Sequence, residues 1–269
     1  MKQSQFDEWI LRREKEGDRI SDSSRKVYAA MWRSLCREIG DLDSPSVPEI
    51  ESALDRLKLS PTPRRRYLQL LAKVLGADSA AVAVLEQAAI PEKPSPETLS
   101  PSRENALSAA LESFDPRDRA LTLLFLGAGL RTGESVRLRR EDLHLDDPVP
   151  WIVVRNGFDT IVRSAPLNAA AAQALREWTR SHHNAFVFPG KDDDGPLDVS
   201  SAWKICKRAS QAVLGHKSQD SPRRMRHAFA IRQLAAGESL STVSGWIGHR
   251  QLSSTVRFKP LVPHTRQPV

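Results

Sequence analysis

Residues 151–167 read WIVVRNGFDTIVRSAPL. In a chain whose texture is otherwise helical, this stretch carries two short β-branched runs, Ile152–Val154 and Ile161–Val162. Between them lies Asn156-Gly157, a pair that turns hairpins because both residues tolerate positive φ. The hairpin predicts a domain that is mainly α with a small β-hairpin or sheet, an α+β class. Just upstream, residues 103–114 and 117–126 read as two apolar helices, and DRALTLLFLGAGL (118–130) is apolar nearly all round. Downstream, helical periodicity returns at 168–181, 199–213, 226–236, 240–247 and 252–258, with the polar loop KDDDGPL (191–197) after a strand-like AFVFPG run.

Farther out, the segment AAIPEKPSPETLSPS (88–102) holds four prolines. Such a stretch propagates neither a helix nor a ladder, and it marks a domain boundary. The expected division is a helical domain at 1–88, a Pro-rich linker at 89–102 and a second domain at 103–269. The first domain reads as a bundle of four or five helices. Residues 3–16 place Phe6, Trp9, Ile10 and Arg13 on one face. Ser21 to Ser24 offer N-caps for a helix ending at Gly40, with Val27, Met31, Leu35 and Ile39 a turn apart. Ser44, Pro45 and Pro48 open a third helix, residues 60–76 make a fourth, and 77–89 a short fifth. The fourth begins with Arg64, Arg65 and Arg66, which can meet a phosphate backbone at a helix N-terminus or stay solvated.

Composition narrows the function. Among 269 residues there are 40 Lys plus Arg against 33 Asp plus Glu, a net +7. The surplus is uneven: residues 203–269 hold 12 basic and 2 acidic residues, or +10, whereas residues 1–90 hold 15 and 14, or +1. A basic face at that end permits a nucleic-acid partner. Cys36 and Cys206 lie far apart and form no C-x-x-C pair, so neither a disulfide framework nor a zinc site is indicated. The N-terminal stretch lacks a signal-peptide pattern and no apolar run is long enough to span a bilayer, so a cytoplasmic location and no membrane partner are expected. His182-His183 and Asp192 to Asp194 do not make a persuasive metal site, and Gly127 and Gly129 follow a helix rather than a strand, which argues against a nucleotide loop. The six tryptophans are spaced as core or helix-face anchors. No metal, cofactor or nucleotide is expected.

Three separated segments place a cationic or hydrogen-bonding group at a helix entry or exit: GAGLRTGESVRLRREDL (127–143), SPRRMRHAFAIRQLAAG (221–237) and LSTVSGWIGHRQLSSTVRF (240–258). If Arg131, Arg226 and His249 converge, they can hold a phosphodiester, because guanidinium forks match phosphate oxygens. Spacing alone leaves surface ion pairing as the alternative. The ordered set, however, resembles the tyrosine recombinase (phage integrase) family. GLRTGESVRLRREDL is similar to that family's first arginine box, PRRMRHAFA to its H-x-L-R-H-T-F-A box, WIGHRQLSSTVRF to its L-G-H box, and the hairpin ending in VRSAPL to the family's β-hairpin.

The resemblance covers the chain and implies a two-domain architecture, an N-terminal core-binding DNA clamp followed by a catalytic-like domain. It implies that Arg131 and Arg226 clamp the phosphate, that His249 hydrogen-bonds it, and that His227, Glu134 and Asp142 are mainly structural. It also marks departures. Arg223 stands where the second box usually has histidine, Phe158 where the hairpin has its general-acid lysine, and Phe258 where the nucleophilic tyrosine belongs. A phenyl ring has no oxygen with which to attack phosphorus, and the only tyrosines, Tyr28 and Tyr67, lie in the first domain.

The expected function is therefore that of a double-stranded-DNA-binding member of the family that does not cleave alone, a regulator, architectural subunit or accessory factor in site-specific recombination or integration. The expected contacts to DNA are Arg163, Lys204, Lys207, Arg208, Arg224, His227 and Arg250 in the second domain and Arg64, Arg65 and Arg66 in the first. Two alternatives stay open: a recombinase subunit served by a partner's tyrosine, with an active recombinase or further copies of itself as partners on DNA, and a protein-interaction remnant.

Overall fold

The computed structural model describes residues 2–18, 20–40, 42–91, 95–157, 159–191, 195–215 and 220–263. The chain divides into two compact units, residues 1–94 and 95–269.

The first unit is a bundle of five helices: α1 (Gln3–Lys15), α2 (Asp22–Ile39), α3 (Val47–Arg56), α4 (Pro61–Leu75) and α5 (Ala80–Gln87). Its boundaries follow local chemistry. Ser21 caps α2 by accepting a hydrogen bond from the Ser24 amide, Ser46 and Glu49 close a capping box on α3, and Gly40 and Gly76 terminate α2 and α4 at positive φ. The expected face of α2 is rotated. Val27 is 56% exposed, while Trp32, Leu35 and Ile39 are buried with Phe6, Trp9 and Ile10 of α1. A stripe through Tyr28 and Trp32 removes more apolar surface from water than one through Val27 and Met31, and the larger burial decides the rotation.

The second unit contains α6 (Pro101–Ala110), α7 (Pro116–Ala128), α8 (Thr132–Val136), α9 (Ala169–Arg180), α10 (Val199–Leu214), α11 (Pro222–Ala235), α12 (Leu240–Ile247) and α13 (Ser253–Val256), with strands β1 (Leu143–His144), β2 (Trp151–Arg155) and β3 (Ile161–Pro166). The strands form one antiparallel sheet in the order β1-β2-β3. The hairpin β2-β3 lies where the sequence places it, in a register that pairs Ile152 with Ala165, with a bulge at Val154/Arg155. Its connection is longer than Asn156-Gly157 alone, running over residues 156–160, with Asp159 at φ 61°. Two elements carry no periodic signal and go unread in the sequence: the two-residue β1 and the five-residue α8. The AFVFPG run forms only isolated bridges, Arg139 to Phe186 and Pro189 to Pro196. The helix expected at 226–236 starts earlier, at Pro222, with Ser221 as its cap. The one expected at 252–258 is only four residues, followed by a 3-10 turn at Lys259–Leu261.

α7 is the axis of this unit. From Ala120 to Ala128 every residue is buried, packed against α9, α10 and α11. A second, smaller core forms where α11 meets α12 and Phe258: Phe229, Ala230, Ile231, Val243, Ile247 and Phe258. The last part of the Pro-rich segment is tied into the unit. Leu99 is buried in the main core, Ser100 caps α6, and Glu97 pairs with Arg224. Trp203 is 42% exposed on α10, with Lys207 Nζ 4.9 Å from its ring centre, so of the two places its spacing allows, core or helix face, it takes the helix face. Among the described residues no helix is long and apolar enough to cross a membrane.

The junction at the end of α7 is tight enough to test. Gly129 closes the helix in the left-handed region at φ 62°, and a Cβ there would lie 2.4 Å from Cδ1 of the buried Phe229. Gly129→Ala combines a left-handed backbone penalty with overpacking and is expected to cost about 3 kcal/mol. Gly237→Ala, at φ 96° with nothing within 4 Å of its Cβ, carries the backbone penalty alone and is expected to cost about 1–2 kcal/mol. Urea unfolding of the two variants against the wild type measures the difference.

Candidate functional site

The three motif segments meet in one cavity of about 390 Å³ in the second unit, lined by residues that include Arg131, Arg223, Arg226, His227, His249 and Phe258. Each reaches it from a helix end. Arg131 is the N-cap of α8, Arg223, Arg226 and His227 sit in the first turns of α11, and His249 follows the C-terminal end of α12. Pro96, Ser254 and Arg257 also line it, and no motif reading singles those out as site groups.

Two of the guanidinium groups are held by fixed acceptors. Arg226, only 7% exposed, donates from Nη1 to the Gly129 carbonyl at 2.7 Å and from Nη2 to the Ile247 carbonyl. Arg131 donates to Glu134 Oε1 at 2.7 Å and to the Gly248 carbonyl. Arg223 is exposed and makes no hydrogen bond or ion pair among the described residues. Burial, with the like charge of Arg131, pushes the Arg226 guanidinium down to about 9 despite the pull of Glu134. The group stays charged at neutral pH, and an incoming anion would offset its cost.

His249 places Nδ1 3.0 Å from Thr255 Oγ1, which leaves Nε2 available to a ligand. Burial and the positive charges of Arg226 and Arg131 push this imidazole down to about 4, so it is neutral at pH 7. The Phe258 ring is 2% exposed, 5.1 Å from the His227 ring and 6.1 Å from the His249 ring, centre to centre. His227 places Nδ1 2.6 Å from the Glu97 carbonyl. Desolvation holds its pKa below the ordinary imidazole value.

The other residues expected to bind do not all join this cluster. Arg163 is buried in a two-pronged pair with Glu134, at 2.9 and 2.7 Å. Arg224 pairs with Glu97 and Asp220, and Arg208 with Asp118. Lys204, Lys207 and Arg208 follow one another along α10, with Lys204 and Arg208 exposed, and Arg250 is exposed beside His249. In the first unit, Arg64 pairs with Asp55, and Arg65 donates to the Leu85 and Ala88 carbonyls at the end of α5. Arg66 alone of the three lines a separate groove of about 420 Å³, with Tyr28 and Lys73. Phe158 lies outside the described residues.

The sequence profile of the phage integrase family matches residues 97–261. The chain is 28% identical over 177 residues to the tyrosine recombinase XerA of Thermococcus kodakarensis, covering 64% of this chain and 61% of that protein. It is 29% identical over 259 residues to XerC of Rhodospirillum centenum, covering 94% and 66%. It thus spans less than two thirds of the length of these curated relatives. Among solved structures, the XerH recombinase bound to a palindromic difH substrate superposes with a TM-score of 0.75 at 16% identity, over 88% of this chain and 76% of that one. A λ integrase dimer bound to a COC′ core site gives 0.70 at 17% identity, over 97% and 79%. These two likenesses show a shared fold.

Acid stability tests the electrostatics of the cluster. Burial alone would raise the Glu134 carboxyl, but the hydrogen bonds and charge of Arg163, with Arg131, hold it down at about 2 from an ordinary 4.5. A depressed folded-state pKa stabilises above about 4.5, and the contribution is lost as pH falls toward about 2. Its size is on the order of 3 kcal/mol. Glu134→Gln is therefore expected to lose most of this at pH 7 and to flatten the acid limb of the stability curve between pH 4.5 and 2, read by urea unfolding across that range.

Proposed function

We propose, on the premise that this chain belongs to the phage integrase family, that it binds double-stranded DNA and holds a backbone phosphate in the Arg131–Arg226–His249 cavity without cleaving the strand by itself. The observation that carries this reading is the position of Phe258. Its ring packs beside His249 at the wall of the cavity that Arg131, Arg223 and Arg226 line. The groups that bind and polarise a phosphate are present there, and the atom that would attack it is not.

The chemistry follows from the groups in place. Arg131 and Arg226 offer charged donors to the non-bridging oxygens, and neutral His249 offers one more hydrogen bond without adding a charge. Arg223 supplies a third guanidinium where a titrating imidazole would transfer protons, which favours affinity over turnover. Thr132 and Ser254 bring hydroxyls to the cavity lining. Two imidazoles line the cavity with them: His249, too weak a base near a pKa of 4 to activate a hydroxyl at neutral pH, and His227, whose basicity desolvation also lowers. In this role the protein occupies a recombination site as a regulator or architectural subunit. The intact donor set also supports a second reading, in which this cavity activates a phosphate for a tyrosine of another subunit.

Affinity for duplex DNA measured against salt is expected to fall steeply, by a log–log slope of several units, because each phosphate contact releases condensed counterions. The pair Arg131→Ala with Arg226→Ala is expected to weaken binding to all sequences alike and to lower that slope by about 2; unchanged binding would rule out the clamp. On a nicked duplex the chain alone is expected to form no covalent protein–DNA adduct in a denaturing gel, and an adduct would sink the non-cleaving reading. An adduct that appears only when an active family member is added would establish the second reading.

A further inference from the structure

Arg163 was expected to touch DNA, and its surroundings give it other work. Its side chain is 9% exposed, on the edge strand β3. Nη1 and Nη2 grip both oxygens of Glu134, and Nε donates to the Trp246 carbonyl at 2.7 Å. All three nitrogens are thereby committed. Gly248, at φ 65°, lies against this guanidinium so closely that a Cβ would sit 2.9 Å from Nη1.

The two acceptors that Arg163 holds are the ones that place the cavity's working groups. Glu134 receives the Arg131 guanidinium on Oε1 and the Arg131 amide on Oε2, at 2.7 and 2.8 Å. Trp246 lies three residues before His249, at the end of α12. The next two carbonyls, Ile247 and Gly248, take Arg226 and Arg131. One fork on β3 thus spans the first arginine box and the segment that delivers His249.

We propose that Arg163 is a positioning residue: by bridging the Glu134 carboxylate and the Trp246 carbonyl it sets the distance between Arg131 and His249, and so the fit of the cavity to a tetrahedral oxyanion. The proposal deepens the phosphate-binding reading given above and rests on it for the identity of the anion. The fork, not the charge, does this work. A lysine ammonium is a point donor and cannot grip two carboxylate oxygens and a carbonyl in fixed geometry.

The test uses the full chain and inorganic phosphate as probe, with the ring resonances of His249 followed by NMR and duplex affinity measured in parallel. Arg163→Met and Arg163→Lys are both expected to weaken phosphate binding about tenfold, since an ångström of misplacement has costs of at least that size, and to move the His249 ring signals in the phosphate-free protein. Thermal unfolding of each variant identifies one that simply fails to fold, and Glu134→Gln, which keeps the shape of the side chain, is expected to give the same shift in smaller measure. Three outcomes overturn the proposal: Arg163→Lys behaving as wild type in both readouts, a fall in thermal stability with phosphate affinity and His249 unmoved, or a loss of DNA affinity with the phosphate response intact, which marks a direct DNA contact. Wild-type protein whose His249 ignores phosphate would instead defeat the phosphate reading. Positioning would then be judged on the phosphate-free spectra: shifted His249 signals in both Arg163 variants uphold it, and unshifted ones overturn it.

Discussion

The end of helix α12 carries the second unit's cationic cluster. Three consecutive carbonyls there, Trp246, Ile247 and Gly248, accept hydrogen bonds from Arg163, Arg226 and Arg131 in turn. These oxygens have no partner within their own helix, and they stand at the negative end of its dipole. Three guanidinium groups from three distant parts of the chain answer that need together. The next residue is His249, so the helix end that gathers the arginines also delivers the imidazole beside them.

Crowding cations in a half-buried cavity is costly, and the fold offsets it incompletely. Glu134 is the one carboxylate that two of the guanidiniums share, and its depressed pKa measures how strongly they hold it. Arg226 has carbonyls but no carboxylate of its own, and burial first, then the neighbouring positive charges, lower its pKa and that of His249. Several basic residues elsewhere on the second unit are neutralised locally, Arg224 by Glu97 and Asp220, and Arg208 by Asp118. Where the three motifs meet, Arg223 and Arg226 make no ion pair among the described residues, which is an electrostatic condition for capturing an oxyanion.

Phe258 belongs to the structural side of this arrangement. It helps close a small core with Phe229, Val243 and Ile247, and its ring lies against two imidazoles. A phenyl group fills that place without an unsatisfied hydroxyl to bury. The position therefore has a packing role of its own at the wall of the cavity.

Much of this molecule can be read from the one-dimensional order of residues. Apolar periodicity and serine or aspartate caps found most helices, and the Asn-Gly pair found the hairpin, because these signals act within a few neighbours of one another. The convergence of Arg131, Arg226 and His249 was legible only through the ordered motifs, and the structure brings those segments together. What the sequence could not decide was partnership. Arg163 and Arg224 look like any surface cation in a basic segment, yet one is buried on Glu134 and the other paired with Glu97. Likewise Val27 has the spacing of a core residue and is exposed. Whether a charge faces solvent, a ligand or a carboxylate more than a hundred residues away depends on packing among helices, and side-chain burial is settled only when those faces meet.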